Sequence, residues 1–92
     1  MIRSFRHRGL KRLYEQGDRR RVNPNHVEKI EVILADLDAA GSIDHMRRPG
    51  YRLHPLSGEL KGFHAVDVSS NWRIVCRLDA GDVFDVDLVD YH

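Results

Sequence analysis

Asn71-Trp72-Arg73-Ile74-Val75-Cys76-Arg77-Leu78-Asp79-Ala80-Gly81-Asp82-Val83-Phe84-Asp85-Val86-Asp87-Leu88-Val89 holds two alternating runs around a short break. Trp72, Ile74, Cys76 and Leu78 alternate with Arg73, Val75 and Arg77, while Phe84, Val86 and Leu88 alternate with Asp85, Asp87 and Val89. Two period-two runs separated by Asp79-Ala80-Gly81 read as two strands and a tight turn. Directly opposed residues of an antiparallel pair share a face, so Leu78, Cys76 and Ile74 are expected to face Phe84, Val86 and Leu88 in an even register. A three-residue loop Asp79-Ala80-Gly81, with Gly81 left-handed, pairs Leu78 with Asp82 and sets Arg73 opposite Asp87. The other register of the same parity sets Arg77 opposite Asp85. Either way one face is apolar and the other carries arginines and carboxylates.

Upstream of this hairpin, Phe63 to Val68 reads as another strand, and Tyr51 and Leu53 alternate with Arg52 and His54. Before Gly50 the period is helical. Val27, Ile30, Leu34 and Leu37 step by three and four with Ile33 beside them. Asn23 is the expected N-cap of this helix, with Pro24 at its first position, where a missing N–H costs nothing. Its end is expected at Ala40-Gly41, with Gly41 left-handed. Residues 42–46 can add one more helical turn, and 47–50 form a turn. Leu10, Leu13 and Tyr14 mark one face of an earlier helix that ends at Gly17-Asp18, and residues 2–6 can form a short strand. Helices followed by a run of close strands predict an α+β fold, with the helices on one face of a small antiparallel sheet. The length predicts a single domain over 1–92.

Charge is distributed unevenly. The chain has 15 Lys and Arg against 14 Asp and Glu, a net of +1. Residues 1–53 hold 12 basic and 7 acidic side chains, a net of +5, and residues 54–92 hold 3 and 7, a net of −4. The first 21 residues alone reach +6 through Arg3, Arg6, Arg8, Lys11, Arg12, Arg19, Arg20 and Arg21. That run suits a polyanion such as RNA, a solvated face being the competing reading. No apolar run approaches the roughly 20 residues that span a bilayer, so no membrane partner is expected. The start Met1-Ile2-Arg3-Ser4-Phe5-Arg6 has no apolar core of a secretory signal. One cysteine, Cys76, allows no internal disulfide and fits a reducing cytoplasm, and its parity with Ile74 makes it a core thiol.

The polar sheet face collects the residues that can carry chemistry. His54 is out of phase with Tyr51 and Leu53, Arg73 with Trp72 and Ile74, and Tyr91 continues the parity of Asp87 and Val89, with His92 beside it. Cutting RNA through its own 2′-hydroxyl needs a base, a cation for the phosphorane and an acid for the leaving 5′-oxygen. Imidazole performs either proton transfer, guanidinium matches phosphate, and an aromatic ring holds an unstacked base. Each residue also has a plainer reading. Arg73 can be a cross-strand ion pair with Asp87, His54 a strand-end surface histidine, and Tyr91-His92 a frayed end. His7, His26, His45 and His64 show no metal-ligand spacing with one another or with Cys76, so no metal site is expected.

Met1-Ile2-Arg3-Ser4-Phe5-Arg6-His7-Arg8-Gly9-Leu10-Lys11, Tyr51-Arg52-Leu53-His54-Pro55-Leu56, Asn71-Trp72-Arg73-Ile74 and Val89-Asp90-Tyr91-His92 together resemble the HigB toxins. These belong to the RelE/ParE-like superfamily of bacterial toxin–antitoxin systems, the plasmid maintenance killer proteins, and the likeness runs the length of the chain. It implies a RelE-like α+β toxin that enters the ribosomal A site and cuts mRNA, leaving a 2′,3′-cyclic phosphate and a 5′-hydroxyl, with no metal or other cofactor. The implied partners are the 70S ribosome with its mRNA, a helix-turn-helix HigA antitoxin, and operator DNA bound only as the toxin–antitoxin complex. On the family pattern His54 and His92 are the proton-transfer residues, Arg73 stabilises phosphate charge, Tyr91 positions mRNA, and Asp90 orients a neighbour or joins in proton transfer. Typical members read His-Pro-Leu-Lys-Gly where this chain reads His54-Pro55-Leu56-Ser57-Gly58, so a cation is replaced by a hydroxyl and a slower toxin is expected. The alternative is a weakly catalytic or non-catalytic ribosome binder, or a co-repressor working with HigA.

Overall fold

The computed structural model describes residues 1–90. An extended N-terminal segment leads into α1 (Arg8–Gln16) and α2 (Val27–Ala39), then a 3₁₀ turn at Ile43–Met46. The antiparallel sheet that follows has strands β1 (His54–Pro55), β2 (His64–Asp67), β3 (Trp72–Asp79) and β4 (Asp82–Asp90), in that spatial order. The α+β architecture is the expected one.

Helix α1 keeps its sequence face: Leu10 and Leu13 are buried, and Tyr14 packs against the core. His7 caps it, its Nδ1 accepting from the Leu10 N–H at 3.1 Å, and Gly17 closes it at φ 67°. Helix α2 buries Val27, Ile30, Ile33, Leu34 and Leu37, all the residues its spacing marks. Its ends depart from expectation. Asn23 closes a turn instead of capping the helix: its Oδ1 accepts from Asn25 N at 2.9 Å, its carbonyl accepts from His26 N, and the helix starts at Val27. Asparagine's short amide competes with helix nucleation by closing such local turns. At the other end the chain leaves through Ala40 in an extended conformation, burying its methyl group, and Gly41 is not left-handed.

The turn end of the hairpin differs from both expected registers, but over Trp72–Val75 the strands hold the second of them, and Arg77 Nε donates to Asp85 Oδ2 at 2.9 Å. Asp79 pairs with Asp82, so the loop is the two residues Ala80 (φ 51°) and Gly81 (φ 84°). Two left-handed residues give a loop whose twist matches the strands it joins. This starts β4 one residue out of the expected parity, with Leu78 opposite Val83 and Arg77 opposite Phe84. A bulge then restores it. Opposite Cys76 the partner strand spends two residues, Asp85 (φ 58°) and Val86, after which Val75 faces Asp87, Ile74 faces Leu88 and Arg73 faces Val89. Val83 therefore enters the core fully buried in place of Phe84, which lies beside Arg77, whose guanidinium carbon stands 4.7 Å from the ring centre.

The same bulge reduces the expected strand at residues 2–6 to two isolated parallel bridges, Ile2 with Val83 and Phe5 with Val86. Between them Asp85 N donates to the Ser4 side-chain oxygen at 2.8 Å, so a continuous ladder does not form. The segment still covers the β4 edge. Alternation at residues 51–54 is broken by Arg52 (φ 49°), and pairing begins only at His54. The core lies between the helices and one sheet face, built from Leu10, Ile30, Leu37, Ile74, Val83 and Val86 among others. No helix among the described residues is long and apolar enough to cross a membrane.

Candidate active site

The other face of the sheet is placed by register. His54 pairs with Ala65, Asp67 with Arg73, and Arg73 with Val89, so His54, Asp67 and Arg73 share the face opposite Val66, Ile74 and Leu88. The arrangement is local and specific. Arg73 Nη1 lies 3.4 Å from His54 Nε2, and His54 Nδ1 lies 2.8 Å from the Arg52 carbonyl oxygen. A carbonyl only accepts, so Nδ1 carries the proton, and Nε2 of the neutral ring is left as an acceptor for the Arg73 N–H. The tautomer follows from this hydrogen-bond network. The left-handed backbone of Arg52 is what brings its carbonyl to the ring.

Asp67 supplies the carboxylate of the site. Its Oδ1 stands 3.1 Å from Arg73 Nε and its Oδ2 3.6 Å from Arg52 Nε. The Arg73 contact is an ion pair between two solvent-sealed atoms, not aligned as a hydrogen bond. The carboxylate set against Arg73 is thus on β2, not Asp87 on β4, because the bulge brings Val89 opposite Arg73. No repeat along the chain marks Asp67; it meets Arg73 because the turn between Phe63–Val68 and Trp72 sets the two opposite each other.

Asp90 ends β4 opposite Trp72 and is exposed, on the parity opposite to Arg73. Tyr91 and His92 lie outside the described residues. The eight basic residues of the N-terminal region fall into separate groups. Arg3 pairs with Asp82 at 3.2 Å, Arg19 with Glu31 at 2.7 Å and Arg20 with Asp18 at 2.9 Å, holding the Asp18 carboxyl well below the usual carboxylate range. Arg6 stacks on Phe63 at 5.0 Å. Arg8, Lys11 and Arg12 are exposed on α1, and exposed Arg21 packs its backbone beside Gly9.

The remaining ionisable residues have structural settings. His26 precedes α2 with its ring 6.4 Å from Trp72, and His45 Nδ1 accepts from Gly41 N. His64 is half-buried, and burial, followed by the charges of Arg47 and His54, lowers its pKa. Burial pushes the Cys76 thiol up to about 12, which leaves it inert. Among the described residues no cluster of three His, Cys, Asp or Glu is arranged to hold a metal ion.

A family model described as the RelE-like toxin of the type II toxin–antitoxin system HigB matches residues 3–92. The chain belongs to this HigB family. "Endoribonuclease HigB" of Proteus vulgaris is 39% identical over 92 residues, the whole of both chains. "Toxin HigB-1" of Vibrio cholerae serotype O1 is 32% identical over 81 residues, covering 82% of this chain and 81% of that one. Two solved structures share the RelE-like fold at low identity. One is the YoeB–YefM complex from Staphylococcus aureus, with TM-score 0.63 and 19% identity, covering 100% of this chain and 95% of that one. The other is YafQ from E. coli, with TM-score 0.58 and 14% identity, covering 98% and 91%.

In this HigB-family chain Ser57 is exposed ahead of a 3₁₀ turn at Gly58–Leu60 and caps it with no side-chain hydrogen bond. Lys61 closes that turn through its backbone N–H to the Gly58 carbonyl.

Proposed function

We propose that this chain is a ribosome-dependent endoribonuclease that cuts mRNA in the A site and so inhibits translation. One observation carries the reading: His54 Nε2, with Nδ1 engaged by the Arg52 carbonyl, faces Arg73 Nη1 on the sheet face left open by the helices. The similarity to a protein named Endoribonuclease HigB supports the reaction class.

The chemistry uses side chains alone. The lone pair on His54 Nε2 takes the proton of a 2′-hydroxyl, and that oxygen attacks the neighbouring phosphorus. The bond from phosphorus to the 5′-oxygen breaks, leaving a 2′,3′-cyclic phosphate and, once protonated, a 5′-hydroxyl. Arg73 stabilises the charge that gathers on the phosphoryl oxygens. His92 donates the proton to the leaving oxygen, Tyr91 holds the mRNA by stacking, and Asp90 orients one of these neighbours. Arg8, Lys11, Arg12 and Arg21 are the exposed cations for ribosomal RNA, with Arg6 at the sheet edge, while Arg3, Arg19 and Arg20 share their charge with carboxylates.

Those pairings favour dependence on the ribosome. With a net charge of +1, and with Arg77 already facing Asp85, the chain has a weak pull on free RNA. In the cell the partners are the 70S ribosome in the cytoplasm and a HigA-type helix-turn-helix antitoxin, the toxin–antitoxin complex binding operator DNA. Among fold neighbours, YoeB from Staphylococcus aureus is in complex with YefM.

Mapping mRNA 5′ ends after induction tests the reading. New ends at ribosomal A sites are expected, and purified protein is expected to leave naked mRNA largely intact. Growth arrest without new ends would favour the second reading, a ribosome binder or co-repressor. The neutral Ser57 hydroxyl beside β1 is the observation on its side.

A further inference from the structure

Asp67 is out of character for its strand. Aspartate is depleted in strands, and its neighbours Val66 and Val68 are buried. Its side chain is only 15% exposed, between Arg73 Nε at 3.1 Å from Oδ1 and Arg52 Nε at 3.6 Å from Oδ2. Desolvating an ion pair largely cancels its attraction, so such a pair is weak support for a fold. It is strong support for an orientation. A guanidinium presents donors in a rigid planar fork. With Nε held by Asp67, the Nη end of Arg73 is directed at His54 Nε2.

We infer that Asp67 is a positioning residue for RNA cleavage: it holds Arg73 by Nε so that the Nη end stays beside His54, where the reacting phosphate is bound. This rests on the nuclease reading above. The opposite role for the same carboxylate is competition with phosphate for Arg73. The two roles predict opposite signs, since removing a competitor speeds cleavage and removing a positioning group slows it.

The test uses the full-length chain with Asp67→Asn, which keeps the shape and removes the charge. Asp67→Thr, a strand-compatible residue, serves if the amide variant does not fold. A misplaced catalytic group costs on the order of 10²-fold per ångström. The single-turnover rate on ribosome-bound mRNA is therefore expected to fall about tenfold or more, with little change in the toxin concentration that gives half the maximal rate. In an Arg73→Ala background, Asp67→Asn is expected to add no further loss, which a merely structural role would not reproduce. Unchanged or faster cleavage by a folded variant, or independent losses in the double variant, overturns the inference.

The ¹⁵N resonance of His54 Nε2 reads the same contact without any RNA. It is expected to move in Asp67→Asn, and a stationary resonance in a folded variant overturns the inference. If that resonance moves but the wild-type chain produces no new mRNA ends, Asp67 still holds the Arg73–His54 contact and only the nuclease reading falls.

Discussion

His54 and Arg73 are 19 residues apart in sequence and 3.4 Å apart in space, brought together across β2 with Asp67 between their strands. The pair sets Nε2 of an imidazole whose Nδ1 is engaged by the Arg52 carbonyl against a permanent cation. Arg73→Ala is expected to lower mRNA cleavage by about 10²-fold or more, because one preorganised charge donor at a phosphoryl centre is lost. The fold should survive at a cost of about 1–3 kcal/mol, since Asp67 is left partly buried with Arg52, 3.6 Å away, as its ion-pair partner among the described residues. Growth on induction and a melting curve on the same variant check both halves.

Ser57→Lys is expected to act in the other direction. Adding an ammonium group beside β1 gives the developing phosphorane a second cation, and cleavage should rise by roughly 10–100-fold. The measurement is the rate of appearance of A-site 5′ ends at matched toxin levels. An unchanged rate would mean that position 57 does not face the reacting phosphate.

Tyr14 and Asp38 predict the pH dependence of stability. The Tyr14 hydroxyl donates to Asp38 Oδ1 at 2.6 Å, and Ile2 N donates to the same oxygen at 3.0 Å. These bonds, the tyrosine first, lower the Asp38 pKa, and the bond to Asp38 raises that of Tyr14. A depressed carboxyl stabilises the fold above its unfolded value of about 3.9 and loses that contribution as pH falls through the lower folded value. A raised phenol stabilises below about 10 and loses its share as pH climbs through the higher folded value. Tyr14→Phe is therefore expected to cost about 1 kcal/mol near neutrality and to flatten both limbs. Thermal unfolding from acid to alkaline pH measures it.

Val83 and Phe84 test the hairpin register. Val83→Ala removes fully buried methyl groups and is expected to cost about 2 kcal/mol. Phe84→Ala should cost less despite the larger truncation, because Phe84 is only half-buried on the Arg77 side of the sheet. Denaturant midpoints of the two variants give the order, and the reverse order would contradict the bulge.

Periodicity and one family pattern made much of this protein legible. The α2 core positions, the β3 and β4 strands, the apolar face and the position of Arg73 on the other face all follow from side chains that repeat every 3.6 or every 2 residues, whereas His54 is placed by its pairing with Ala65. Those repeats are properties of a single segment, so the sequence alone determines them. Where segments meet, the tertiary structure decides. Whether the Asp79–Asp82 turn uses two residues or three depends on how Ala80 and Gly81 reconcile strand twist with the core, and the bulge at Asp85-Val86 corrects the parity that the turn upsets. Val83 enters the core and Phe84 leaves it as a result. Asp67 meets Arg73, and Arg52 turns its carbonyl to His54, through pairings and a left-handed backbone that no repeat along the chain encodes. Which residues are apolar, which are charged and what period they keep are written along the chain. Their partners are set in the folded state, because register is settled by the joint packing of two strands against one core.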